Sequence, residues 1–109
     1  MKVRVAVVVE RDPRLTTRRL AYYHLERGAI PTDIGWVLLS PAVEERIMEV
    51  DRRHRMLYGR SLVRVHEVEV KPETLAALIE SSLEEGLVPE PVRRWAERMV
   101  EELRAGVRA

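Results

Sequence analysis

Arginine and tyrosine are interleaved in two stretches of this chain. The first holds Arg11, Arg14, Arg18, Arg19, Tyr22 and Tyr23. The second is Asp51-Arg52-Arg53-His54-Arg55-Met56-Leu57-Tyr58-Gly59-Arg60. A guanidinium group presents a planar fork to phosphate, and a tyrosine ring stacks on a base. Together they supply the chemistry by which proteins hold RNA and other single strands. The residues expected to carry such contacts are Arg18, Arg19, Tyr22, Arg52, Arg53, Arg55 and Tyr58. A plainer account competes with this one. Arginines near a helix C-terminus meet the helix dipole favourably, and Glu44, Glu45 and Glu49 lie one or more turns away to pair with them.

A second chemistry belongs to the carboxylates. Glu10 and Asp12 follow a strand-like segment, where a hydrated Mg²⁺ or a phosphate could be held beside a helix N-terminus. That reading, a metal-dependent phosphoryl transferase or nuclease, ranks below a binding role, because acidic residues after a strand are mostly turn residues. No metal is expected: His24, His54 and His66 show no His-x-x-x-His spacing, and cysteine is absent. A zinc site would need ligands from distant elements. The glycines at 28, 35, 59, 86 and 106 are scattered, which excludes the glycine-rich phosphate loops and the Gly-x-Ser-x-Gly elbow. No cofactor is therefore expected.

These groups sit in a chain of 109 residues, the size of one ordinary domain, expected to span 1–109. With 46% hydrophobic and 34% charged residues the chain is expected to fold. Of the 19 basic residues all but Lys2 and Lys71 are Arg, and Asn, Gln, Cys and Phe are missing. Loss of amides and thiols with heavy Glu and Arg use fits a heat-adapted protein, although a GC-rich genome also favours Arg codons. Purely apolar runs such as Val5 to Val9 are far shorter than the roughly 20 residues of a membrane helix. The N-terminus lacks a cleavage-site pattern, so a cytoplasmic location without membrane contact is expected. Charge is uneven: residues 1–64 carry 13 Lys/Arg and 8 Asp/Glu, and residues 65–109 carry 6 and 10. A basic front and an acidic back favour a polar partner on one side, head-to-tail self-association, or pairing between the halves.

The elements that must position the groups follow from periodicity. Residues near 3–10 read as a strand, with Val3, Val5, Val7 and Val9 on one face and Ala6 and Val8 on the other. Apolar residues on both faces imply a central strand covered twice. Thr16 or Thr17 is placed to cap a helix running to Arg27, with Gly28 as a left-handed C-terminal residue. Residues 18–25 also fit a strand, which would give an α+β fold with a mixed sheet. Ile34 to Leu39 reads as a buried strand, and Ser40-Pro41 as a helix start. That helix, 41–58, carries Val43, Ile47, Val50, His54 and Leu57 as one stripe ended by Gly59. A strand near 62–70 shifts its alternation at His66-Glu67, the mark of a bulge or an edge.

Helices near 73–85 and 91–104 complete the order β-α-β-α-β-α-α. The first is closed by Gly86. The second carries Val92, Trp95, Ala96, Met99, Val100 and Leu103 and is closed by Gly106, with Ala105, Val107 and Ala109 continuing beyond. Strands alternating with helices predict an α/β domain with a three-stranded, mostly parallel sheet. The strand-to-helix loops, with Glu10, Asp12, Arg14, Ser40, Lys71 and Glu73, would then share one rim. Trp95, Met99 and Leu103 belong to a stripe broad enough to complete the core or to form a homodimer surface. The expected function is a non-enzymatic protein contacting RNA or a ribonucleoprotein, with a structural homo-oligomer as the alternative.

Overall fold

The computed structural model describes residues 1–108, and the side chains of residues 1–106. Val107's side chain and Ala109, read above as an apolar continuation, lie outside the described residues. The elements are β1 (Lys2–Val8), α1 (Thr16–Gly28), β2 (Ala29–Thr32), β3 (Gly35–Leu38), α2 (Pro41–Tyr58), β4 (Val63–Glu69), α3 (Pro72–Glu84), a short 3-10 turn (Glu90–Val92) and α4 (Arg93–Arg108). The four strands form one sheet in the order β2-β3-β1-β4, with every neighbouring pair antiparallel.

The expected three-stranded, mostly parallel sheet is therefore corrected to a four-stranded antiparallel one, and the architecture to a small α+β arrangement. The segment 18–25 is helical, so the alternative strand there is not formed. The missed element is β2. Ala29-Ile30-Pro31-Thr32 follows the helix without a break and joins β3 through Asp33 and Ile34. The Thr32 hydroxyl donates to the Gly35 carbonyl and accepts from the Ile34 amide. Gly35 has φ +117°, a conformation that glycine adopts without strain, and its missing side chain leaves room for Val5 and Val7 of β1. A hidden strand ahead of β3 reverses the direction that one strand per helix would give.

β1 is central, as its two apolar faces required. Val5 packs with Ile30, Val37, Leu75, Ile79, Val92 and Ala96 beneath α3 and α4. Ala6 packs with Ala21, Leu25, Val43, Ile47 and Val63 beneath α1 and α2. The helix pairs thus cover opposite faces of the sheet. Val3 joins the first core and Val8 the second, whereas Val7 and Val9 remain exposed. The phase shift in β4 is not a bulge, since its pairing with β1 is continuous from Val63 to Glu69. Val63 and Val65 face the α1/α2 core and Val68 faces the α3/α4 core. Alternation shifts because an edge strand is covered on one face at one end and on the other face at the other.

Helix ends follow local chemistry. Ser40 caps α2, its hydroxyl accepting from the Val43 amide at 3.3 Å, with Pro41 following. Gly59 is left-handed at the end of α2, and Gly86 beyond α3. Gly28 is different: it is helical, and a Cβ there would collide with the Val43 side chain, so it serves the close approach of α1 to α2. Gly106 lies inside α4 and does not end it. Neither Thr16 nor Thr17 caps α1. No helix among the described residues is long and apolar enough to cross a membrane.

Candidate nucleic-acid interface

α1 and α2 pack side by side, which brings the two arginine-tyrosine stretches into one region. The helices meet along Ala21 and Leu25 of α1 and Val43, Ile47 and Val50 of α2. At the start of α1 the Thr17 hydroxyl lies 2.5 Å from His54 Nδ1. His54 is fully buried, and its Nε2 has no hydrogen-bond partner. Thr17 is the second residue of α1, so beyond this level the last turn of α2 runs past the start of that helix. Leu57, expected on the core stripe, is accordingly 63% exposed. The Tyr58 ring covers His54 at a centroid distance of 4.7 Å.

Spacing on α1 divides its polar side chains into two flanks. Arg18 and Tyr22, four residues apart, share the flank away from α2. Arg18 Nε donates to the Glu10 carbonyl, its guanidinium lies 4.8 Å from the Tyr22 ring centre, and Tyr22 meets Trp36 edge-on. Leu20 and His24 share the other flank. With Arg46, Glu49, Val50 and Arg53 of α2 they line a shallow depression of about 180 Å³. Partial burial, then the charges of Arg46 and Arg27, hold the His24 imidazole below its ordinary pKa. The charges of both helices are thus felt at one titratable group.

Not every arginine is free. Arg52 pairs with Glu49 at 2.5 Å, and Arg55 with the buried Asp51 at 3.0 Å. Asp51 itself accepts from the Leu62 and Val63 amides and the Ser61 hydroxyl, which ties the end of α2 to the start of β4. Burial pushes its pKa up, but these donors and Arg55 outweigh it, and the net shift is downward. Arg19, Arg46 and Arg53 are exposed and form no ion pair among the described residues. The three tyrosine rings already carry cations: Arg18 on Tyr22, Arg27 on Tyr23 and Arg60 on Tyr58. Arg46 was not among the residues singled out from sequence; its place two turns before Arg53, on the same α1-facing flank of α2, was the available signal.

The carboxylates are also engaged. Glu10 pairs with Arg60, and its pKa is lowered chiefly by that contact. Asp12 binds Arg14 through both oxygens and is held at about 2. Because the strands are antiparallel, the loop of Glu10, Asp12 and Arg14 lies at the opposite end of the sheet from Ser40 and Lys71. The shared rim expected above does not form. Among the described residues no group of three or more His, Cys, Asp or Glu is gathered as a metal site.

The third group of expected residues, Trp95, Met99 and Leu103, lies on α4, where Trp95 and Met99 border a hollow shared with Arg27 and Gly28 at the end of α1 and Val43 at the start of α2. Trp95 is 58% exposed, which excludes a core position for it, while Met99 and Leu103 pack partly against the α3/α4 core. No protein-family model, curated protein or solved structure matches the chain, so the functional reading rests on this geometry.

Proposed function

We propose that the chain is a non-enzymatic intracellular module that binds RNA, alone or within a ribonucleoprotein, through the outer face of α1 and α2. The observation that carries this reading is the depression where Arg46 and Arg53 meet Leu20 and His24, its one carboxylate, Glu49, being paired with Arg52; Arg19, next to Leu20 in the chain, is exposed. Three guanidinium groups without carboxylate partners form a positive field suited to a phosphate backbone. The tyrosine rings are occupied by arginines, so phosphate contacts outweigh base stacking and sequence preference is weak. The pairing of Glu10 with Arg60 and Asp12 with Arg14 places the phosphoryl-transfer reading behind this one.

Salt dependence tests the reading. Binding of a fluorescent single-stranded RNA is expected to weaken steeply as salt rises. Replacing Arg19, Arg46 and Arg53 together by Ala should reduce the slope by about two units, at about 0.7 per phosphate contact. Arg55 is left intact because Asp51 depends on it. Equal slopes, or no binding at low salt, would defeat the proposal.

A second reading, a homodimer assembled through the C-terminal helix, is favoured by one separate observation. The largest exposed side chain of α4, Trp95, borders a trench between α4 and the start of α2.

A further inference from the structure

The trench along α4 has two connected parts. One of about 440 Å³ is lined by Arg27, Gly28, Ser40, Val43, Trp95 and Arg98, and one of about 640 Å³ by Val3, Leu75 and Leu103, with Lys2, Arg4 and Glu44 at its charged border. Leu39, Ser40, Met99 and Glu102 belong to both. The flank of α4 that faces the trench therefore runs Trp95, Arg98, Met99, Glu102, and one turn on reaches Ala105 and Gly106. Steps of three and four residues keep these on one side of the helix.

Two features of this flank are unexplained within one chain. Arg98 and Glu102 stand four residues apart, carry opposite charges and form no ion pair among the described residues. Arg98 instead approaches the Trp95 ring, 5.8 Å from its centre. Gly106 lies within a helix, where glycine is less favourable than alanine by about 1 kcal/mol. Outside its own turn of helix, no atom of the described residues lies within 4 Å of the place its Cβ would take, so the packing of the single chain does not demand a glycine there.

We propose that a second copy of this chain occupies the trench, with the two α4 helices antiparallel and crossing at the level of residue 100. The proposal rests on the homodimer reading above and gives it a geometry. An antiparallel pair related by a two-fold axis brings each residue opposite one whose number makes the same sum. With the crossing at that level, Arg98 faces Glu102 of the second copy, and Glu102 faces its Arg98. Trp95 faces Ala105 and Gly106, the small residues that leave room for an indole. Charge and shape are then both self-complementary, with two ion pairs flanking two buried aromatic anchors.

Sedimentation equilibrium of the full chain at micromolar concentration tests this. The wild type is expected to dimerise. Arg98→Glu and Glu102→Arg should each weaken self-association about tenfold, since two attractive contacts become repulsive. An equimolar mixture of the two variants should recover a heterodimer, because every contact is again between opposite charges. Gly106→Leu, which favours the helix and meets open space in the single chain, should also weaken the dimer. A dimer with the same strength in all three variants would overturn the α4 geometry and leave self-association through another surface. A chain that stays monomeric throughout would overturn both.

Discussion

Two buried polar side chains decide how α2 is held, and they differ in how visible they are in the sequence. His54 sits on the apolar stripe of α2, so its burial was legible; its partner Thr17 lies 37 residues away and was taken for a helix cap. Asp51 opens a basic segment of the sequence, which masks it. It lies four residues after Ile47, on the same buried stripe, and that spacing was the only sign of its role. Asp51→Ala would strand the Leu62 and Val63 amides and is expected to destabilise by about 3 kcal/mol or more. Denaturant unfolding measures this. The folded-state pKa of Asp51 is lowered, so its contribution is present at neutral pH and lost as pH falls below the ordinary value of about 3.9. The difference between wild type and the Ala variant should therefore narrow between pH 5 and pH 2. At the Thr17–His54 contact, Thr17→Val alone should cost about 1–3 kcal/mol by leaving both ring nitrogens unpaired. Pairing it with His54→Leu should recover part of that loss, which a double-mutant cycle reads.

At the scale of elements, long periodic segments were legible and short ones were not. α2 runs from Pro41 to Tyr58 as its capping and its stripe required. β2 has four residues, one of them proline, and packs at a sheet edge where a missing amide is tolerated. Nothing in its pattern outweighs the preceding Gly28, which reads as a helix terminator. The direction of the whole sheet turned on that one strand. Gly28 is a packing residue, and its substitution is expected to show this. Gly28→Ala should destabilise by about 1–3 kcal/mol through overpacking against Val43, and Val43→Ala in the same chain should offset much of the loss. A left-handed terminator would respond differently, because shortening Val43 would not relieve its strain. Thermal melting of the single and double variants separates the two.

The whole molecule carries two separate surface features: the depression between α1 and α2 that Arg46 and Arg53 line, and a trench where α4 meets the end of α1 and the start of α2. The charge asymmetry between the halves of the chain was legible, but which arginines are free was not, because pairing depends on the packing of α1 against α2. Composition could not show that Trp95 projects outward either. Trp95→Ala should change the stability of the dilute chain by no more than about 0.5 kcal/mol, as for other exposed sites. It should abolish the rise of melting temperature with protein concentration that a dimer requires. If the face holding Arg19, Arg46 and Arg53 receives phosphate, as proposed, His24 is placed to report it, because Arg46 and Arg53 line the same depression. Titration of the His24 ring protons by NMR, with and without saturating single-stranded RNA, tests this most directly. Partial burial and the charges of Arg46 and Arg27 lower its pKa in the free protein. Phosphates placed over the depression would oppose those charges, so RNA is expected to raise the His24 pKa. A pKa unchanged by saturating RNA would contradict it.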